Sequence, residues 1–117
     1  MKHTLLLSSF LFAFYFGSAQ WVSIPDTNFG TWIWNNANSC ISGNPTTGWW
    51  IDTTCPGIIN MRTAVFNYGG NYEVTNLSGI NYFDNLDTIQ TVGQNLKAIP
   101  ALPPHLVVLD IDNQDSL

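Results

Sequence analysis

Cys40 and Cys55 stand fifteen residues apart and are the only thiols in the chain. Three chemistries compete for such a pair: a disulfide, part of a zinc site, or a catalytic thiolate. Zinc needs a full set of nitrogen and sulfur ligands, and beyond residue 20 the chain offers a single histidine, His105. A nucleophilic thiol needs a base within reach, yet His105 lies far along the chain between Pro104 and Leu106. In an exported chain the disulfide is the expected state, and closing a loop of that length contributes about 3 kcal/mol.

The remaining chemistry is thin. Asp110, Asp112 and Asp115 raise calcium as a ligand, because hard cations want several carboxylates. The D-x-[DN]-x-[DN]-G loop pattern fails at Gln114 and Asp115, so these acids read as a solvated strand surface. A serine triad needs a histidine set beside a nucleophile and an acid, and no such motif surrounds His105. Paired carboxylates for sugar hydrolysis can be drawn from any eight acids, so their presence decides nothing. The Asn76-Leu77-Ser78 sequon falls within an apolar series and reads as chance. A non-enzymatic chain with no cofactor and no metal is expected.

Composition narrows the partners. The chain has 117 residues and is 9% charged, which predicts one domain at most. Three basic residues, Lys2, Arg62 and Lys97, face eight acids, a balance that excludes a phosphate backbone as ligand. The segment MKHTLLLSSFLFAFYFGSAQ has a basic start, an apolar run from Leu5 to Phe16, then Gly17, Ser18 and Ala19. That order predicts a secretory signal peptide over 1–19. The apolar run falls short of the roughly 20 residues a membrane span needs. Loss of Lys2 with the leader shifts the net charge from −5 to −6.

Residues 20–60 read as a small helical cap. Ser23-Ile24-Pro25-Asp26 has the order of a helix start. Phe29, Trp32 and Ile33 recur at i, i+3 and i+4, and Asn35, Asn36 and Asn38 mark the end. Ser42 to Gly48 is dense in turn formers and predicts a loop held across its base by the disulfide. All five tryptophans, Trp21, Trp32, Trp34, Trp49 and Trp50, fall in this cap. They fill a core poor in aliphatics or form a sugar-stacking platform, and adjacent Trp49 and Trp50 cannot both point inward on an extended segment.

The second half carries an apolar spacing unlike a helix or a strand. Val74, Leu77, Ile80, Phe83, Leu86 and Ile89 recur every third residue, and Leu96, Ile99, Leu102, Leu106, Leu109 and Ile111 repeat the theme around Pro100, Pro103 and Pro104. Val74–Leu96, Leu77–Ile99 and Ile80–Leu102 share one separation, whereas Leu86–Leu106, Ile89–Leu109 and Gln94–Gln114 share another that is slightly shorter. Self-similarity at about 20 to 29 residues is the mark of leucine-rich repeats. The predicted fold class is an α/β-type solenoid over 61–117, with short parallel strands and return arms that tolerate proline.

The stretches IPDTNFGTWI, TTCP (Thr53 to Pro56), LSGINYFDNLDTI (Leu77 to Ile89) and IPALPPHLVVL (Ile99 to Leu109) resemble the amino-terminal part of secreted bacterial leucine-rich-repeat proteins, a group often exported through a type IX route. The resemblance implies a secreted or cell-surface binding protein. It implies function on a concave sheet, where the positions facing solvent are Asp87, Thr88, Gln90 and Val92, then Val107, Val108, Asp110 and Asp112. The expected partner is an extracellular protein or a surface glycan. The sequence ends in mid-repeat at Leu117, which predicts a fragment of a longer protein and an edge open to self-association.

Overall fold

The computed structural model describes residues 19–67 and 73–113. The predicted leader, except Ala19, and Gln114, Asp115, Ser116 and Leu117 lie outside the described residues. In chain order the elements are β1 (Trp21–Ile24), α1 (Thr27–Ala37), β2 (Ile41–Asn44), β3 (Gly48–Asp52), the single-turn α2 (Pro56–Ile59), β4 (Thr63–Phe66), β5 (Thr88–Gln94) and β6 (Val108–Asn113).

Helix α1 begins where the sequence supplies an acceptor. Asp26 Oδ1 accepts from the backbone N–H groups of Asn28 (2.8 Å) and Phe29 (2.9 Å), satisfying two of the donors that a helix start leaves unpaired. Phe29, Gly30, Ile33 and Ala37 form the buried stripe. Gly30 is required there, because a Cβ would run into the Trp49 indole. A 3-10 turn over Asn38–Cys40 ends the helix and brings Cys40 to Cys55, with Cα atoms 5.5 Å apart in the disulfide. The bridge ties the end of α1 to the start of α2, where Pro56 opens the turn.

The first sheet is antiparallel, in the order β1-β3-β2. The segment expected to be a loop is in fact a β2–β3 hairpin, pairing Ile41 with Ile51 and Asn44 with Gly48. Asn44 Oδ1 closes its turn by accepting from Thr46 N and Thr47 N. Side chains alternate along β3: Trp49 and Ile51 are buried, and Trp50 is exposed.

The second sheet is parallel, in the order β4-β5-β6. Its register pairs Thr63 with Thr88 and Thr88 with Val108. Arg62 C=O accepts from Asp87 N and Thr88 N, and Asp87 C=O accepts from Val107 N and Val108 N. Strands β5 and β6 are thus started by the same two-donor contact with the strand before them. Phe29 joins the two halves, with its ring 5.8 Å from Phe66 and 6.3 Å from Phe83. At Gly79 the backbone adopts φ 106°, and a Cβ would strike Ile24, so the first crossover can pass against β1 only as glycine.

The predicted leucine-rich-repeat solenoid does not form. The described residues make two three-stranded sheets, one antiparallel and one parallel, with one full helix, and neither sheet curls. The physical reason lies in the apolar series. The chain takes a longer step from Thr63 to its register partner Thr88 than from Thr88 to its partner Val108, so there is no constant period. Two of the three pairs matched by the wider of the two sequence separations are not equivalent sites either: Leu77 and Ile80 are buried, whereas their counterparts Ile99 and Leu102 are 45% and 37% exposed, and only Val74 and Leu96 are buried alike. Val74 to Leu86 instead line a long crossover that packs on α1 and the cap.

Loss of the disulfide in Cys40→Ser is expected to lower stability by about 3 kcal/mol, read as a fall in the urea midpoint. Asp26→Ala is expected to cost about 2–4 kcal/mol, since it removes a helix cap and further bonds to a charged acceptor, with Asp26→Asn falling between it and the parent in the same measurement.

Candidate functional site

Alternation along the parallel strands builds a flat outer face. Ala64, Phe66, Ile89 and Thr91 point into the core, which turns the intervening positions outward. Rows cross the sheet as Thr63–Thr88–Val108, Val65–Gln90–Asp110 and Val92–Asp112. Six of the eight positions expected to face solvent, Thr88, Gln90, Val92, Val108, Asp110 and Asp112, therefore share one face, and the other two, Asp87 and Val107, precede the strands. Adjacent strands stand about 4.8 Å apart, so the rows form a continuous patch of hydroxyl, amide, carboxylate and isopropyl groups. The face is flat where a concave one was expected, because the sheet does not curl. Val107 precedes β6 and is the most exposed large apolar side chain among the described residues.

One ion pair fixes where the face begins. Arg62 donates to Asp87 Oδ2 through Nε (3.2 Å) and Nη2 (3.0 Å), and Thr88 Oγ1 donates to Asp87 Oδ1 (2.9 Å). The Thr88 hydroxyl and then the Arg62 guanidinium hold the Asp87 carboxyl below its ordinary range. At the other sheet, partial burial pushes Asp52 up, but bonds from Thr54 and Gln20 outweigh it and leave the carboxyl lowered.

Sequence reasoning missed Thr63 and Val65 as part of the face, although Thr-Ala-Val-Phe alternates as a half-buried strand should. The opposed directions expected of Trp49 and Trp50 are found, but which tryptophan enters the core was not read. Trp49 is 4% exposed and lies beside Trp34 at 5.9 Å, and Trp32 packs on Phe66 at 4.4 Å while its indole N–H donates to Val65 C=O. Trp50 is 40% exposed, flanked across the sheet by Ser23 and Ser42. Its ring lies against Gly43 and Gly48, whose missing Cβ atoms would sit 3.2 and 3.4 Å from it. Trp21 pairs with Asp52 and is the diagonal neighbour of Trp50 on the same open face.

A cleft of about 210 Å³ between α1 and β4 is lined in part by Asn28, Trp32, Asn35 and Gln94. Asn28 donates to Glu73 C=O, and Gln94 accepts from Val74 N and donates to Val92 C=O, so two of its amides already serve the fold. His105 is exposed in the second crossover. Among the described residues no group of three His, Cys, Asp or Glu gathers to hold a metal, and no helix is long and apolar enough to cross a membrane. Searched against protein families, curated proteins and solved structures, the chain matches none.

Because the folded carboxyls of Asp87 and Asp52 are lowered, the stability they contribute is present above the unfolded carboxylate pKa of about 4 and is lost as pH falls through the folded values. The urea midpoint is expected to be flat from about pH 7 to 5 and to drop below about pH 4, with Asp87→Asn showing a shallower acid slope than the parent.

Proposed function

We propose that this chain is an extracellular binding module that recognises a protein through the outer face of its parallel sheet. The observation that carries the reading is the meeting of Thr88, Gln90, Val92, Val108, Asp110 and Asp112 in adjacent rows on one open surface. Exposed valines set among hydroxyl, amide and carboxylate groups offer the mixture of apolar contact and hydrogen bonding that protein interfaces use. The Cys40–Cys55 bridge is compatible with a secreted or extracellular protein. The leader and cap motifs resembling secreted bacterial proteins support the same compartment. An excess of eight acids over three basic residues favours a partner of opposite charge.

A surface glycan is the second reading, favoured by the exposed Trp50 ring packed against Gly43 and Gly48 with Trp21 beside it. A flat indole framed by Ser23 and Ser42 has an apolar face and nearby hydroxyls, which suits a sugar ring. The two readings use opposite sheets, so single substitutions separate them. Immobilised parent, Gln90→Arg and Trp50→Ala chains are to be compared for retention of extracellular proteins and, by tryptophan fluorescence, for polysaccharide binding. The expected result is a protein retained by the parent and by Trp50→Ala, with retention about tenfold weaker for Gln90→Arg. Retention indifferent to Gln90→Arg overturns the protein reading. A saturable polysaccharide shift lost only in Trp50→Ala puts the glycan reading in its place.

A further inference from the structure

The two edges of the parallel sheet are not alike. Thr88 N donates to Arg62 C=O, so in a parallel ladder Ala64 and Phe66 turn their backbone groups toward β5 while Thr63 and Val65 turn theirs outward. That outer edge is covered, because the Trp32 indole N–H donates to Val65 C=O and the ring packs on Phe66. At the far side Val108 N donates to Asp87 C=O. By the same ladder rule Val108, Asp110 and Asp112 face β5, and the N–H and C=O groups of Leu109 and Ile111 face away from the sheet. Strand β6 ends the strand order, and among the described residues no element covers it.

The core layer beneath this edge is unfinished as well. Ile89 is 0% exposed, whereas its register partner Leu109 is 39% exposed. Ile99 and Leu102 of the preceding crossover are also exposed. On the outer face Asp110 and Asp112 stand two apart on β6, and among the described residues neither carboxylate has a hydrogen bond or ion pair.

We propose that the open edge of β6 takes up an extended segment of a partner protein in which basic and apolar residues alternate. Strand addition would satisfy the backbone groups of Leu109 and Ile111. The alternation of a strand would then set the partner's basic side chains beside Asp110 and Asp112 and its apolar ones over Leu109 and Ile111. A second copy of this chain fits poorly: antiparallel pairing of β6 with itself about its centre sets carboxylates opposite one another on one face, which destabilises a sheet, and parallel pairing turns the second copy over and sets its Asp110 and Asp112 beside the apolar Leu109 and Ile111. The proposal deepens the reading of this sheet as a recognition surface and rests on it, but its test does not involve Gln90 or the sheet's centre.

The probe is the synthetic peptide acetyl-TVKVKVT-amide, with acetyl-TVEVEVT-amide as its charge-reversed control, titrated against the full chain by fluorescence anisotropy at low salt. The lysine peptide is expected to bind at least about tenfold more tightly than the glutamate peptide. The double variant Asp110→Lys with Asp112→Lys is expected to reverse that order. Hydrogen exchange is expected to slow at Leu109 and Ile111 in the complex and to remain unchanged in β4. Equal affinity for the two peptides, or no binding of either, overturns the proposal even if Gln90→Arg still weakens partner retention. Sedimentation showing a dimer that protects β6 without peptide also overturns it, by making a second copy the occupant.

Discussion

One carboxylate holds the halves of this molecule in register. Asp26 Oδ1 caps α1, and Oδ2 accepts from Thr75 N (2.9 Å), Thr75 Oγ1 (3.2 Å) and Asn76 N (2.9 Å). The helix start and the first crossover are separated by 49 residues at Thr75, so this contact sets a long-range geometry. Thr75 C=O in turn accepts from Lys97 N, carrying the constraint into the second crossover. Next to it, Val74 N donates to the buried Gln94 amide at the end of β5. Burying that amide would be costly without partners, and its two bonds supply them.

The aromatic contacts follow from that placement. With α1 fixed over the crossover, Phe29 meets Phe66 edge-on and Phe83 in a stacked arrangement, both favourable geometries for ring pairs. A solenoid coil contacts only its neighbours. Here a single helix touches both crossover and sheet, so the core is shared across the chain and cannot be divided into repeating units.

The legible parts of the sequence were those set by local chemistry. The helix start at Ser23 to Asp26, the stripe of Phe29 and Ile33 and the opposed directions of Trp49 and Trp50 follow from residues within a turn or two of one another, and the pairing of Cys40 with Cys55 follows from their being the only two cysteines. The separation that relates Ile89 to Leu109 was also legible, and it is the register of β5 on β6. What could not be read was which apolar residues occupy equivalent positions. Leucine at every third place marks an inward-facing residue, but it does not say whether the wall it meets is a neighbouring coil or a helix from the cap. The face was likewise half visible: its β5 and β6 rows came with the resemblance to leucine-rich repeats, whereas the short β4, whose Thr-Ala-Val-Phe alternation is only four residues long, was passed over.

The prolines explain why the sheet is finished at one side and open at the other. The second crossover, from Asn95 to Val107, contains Pro100, Pro103 and Pro104 and forms no helix. Proline brings no N–H that must be paired, so such a segment can run along the surface with little internal bonding. It therefore contributes few buried side chains, chiefly Leu96. Burial of the inward row accordingly fades across the sheet, from Ala64 and Ile89, both fully covered, to the half-covered Leu109. Regions with fewer buried apolar contacts open at lower free energy than the core. The strand carrying Asp110 and Asp112 thus has the least buried inward row of the three, and the acids, which turn outward, leave that row free to be completed from the edge.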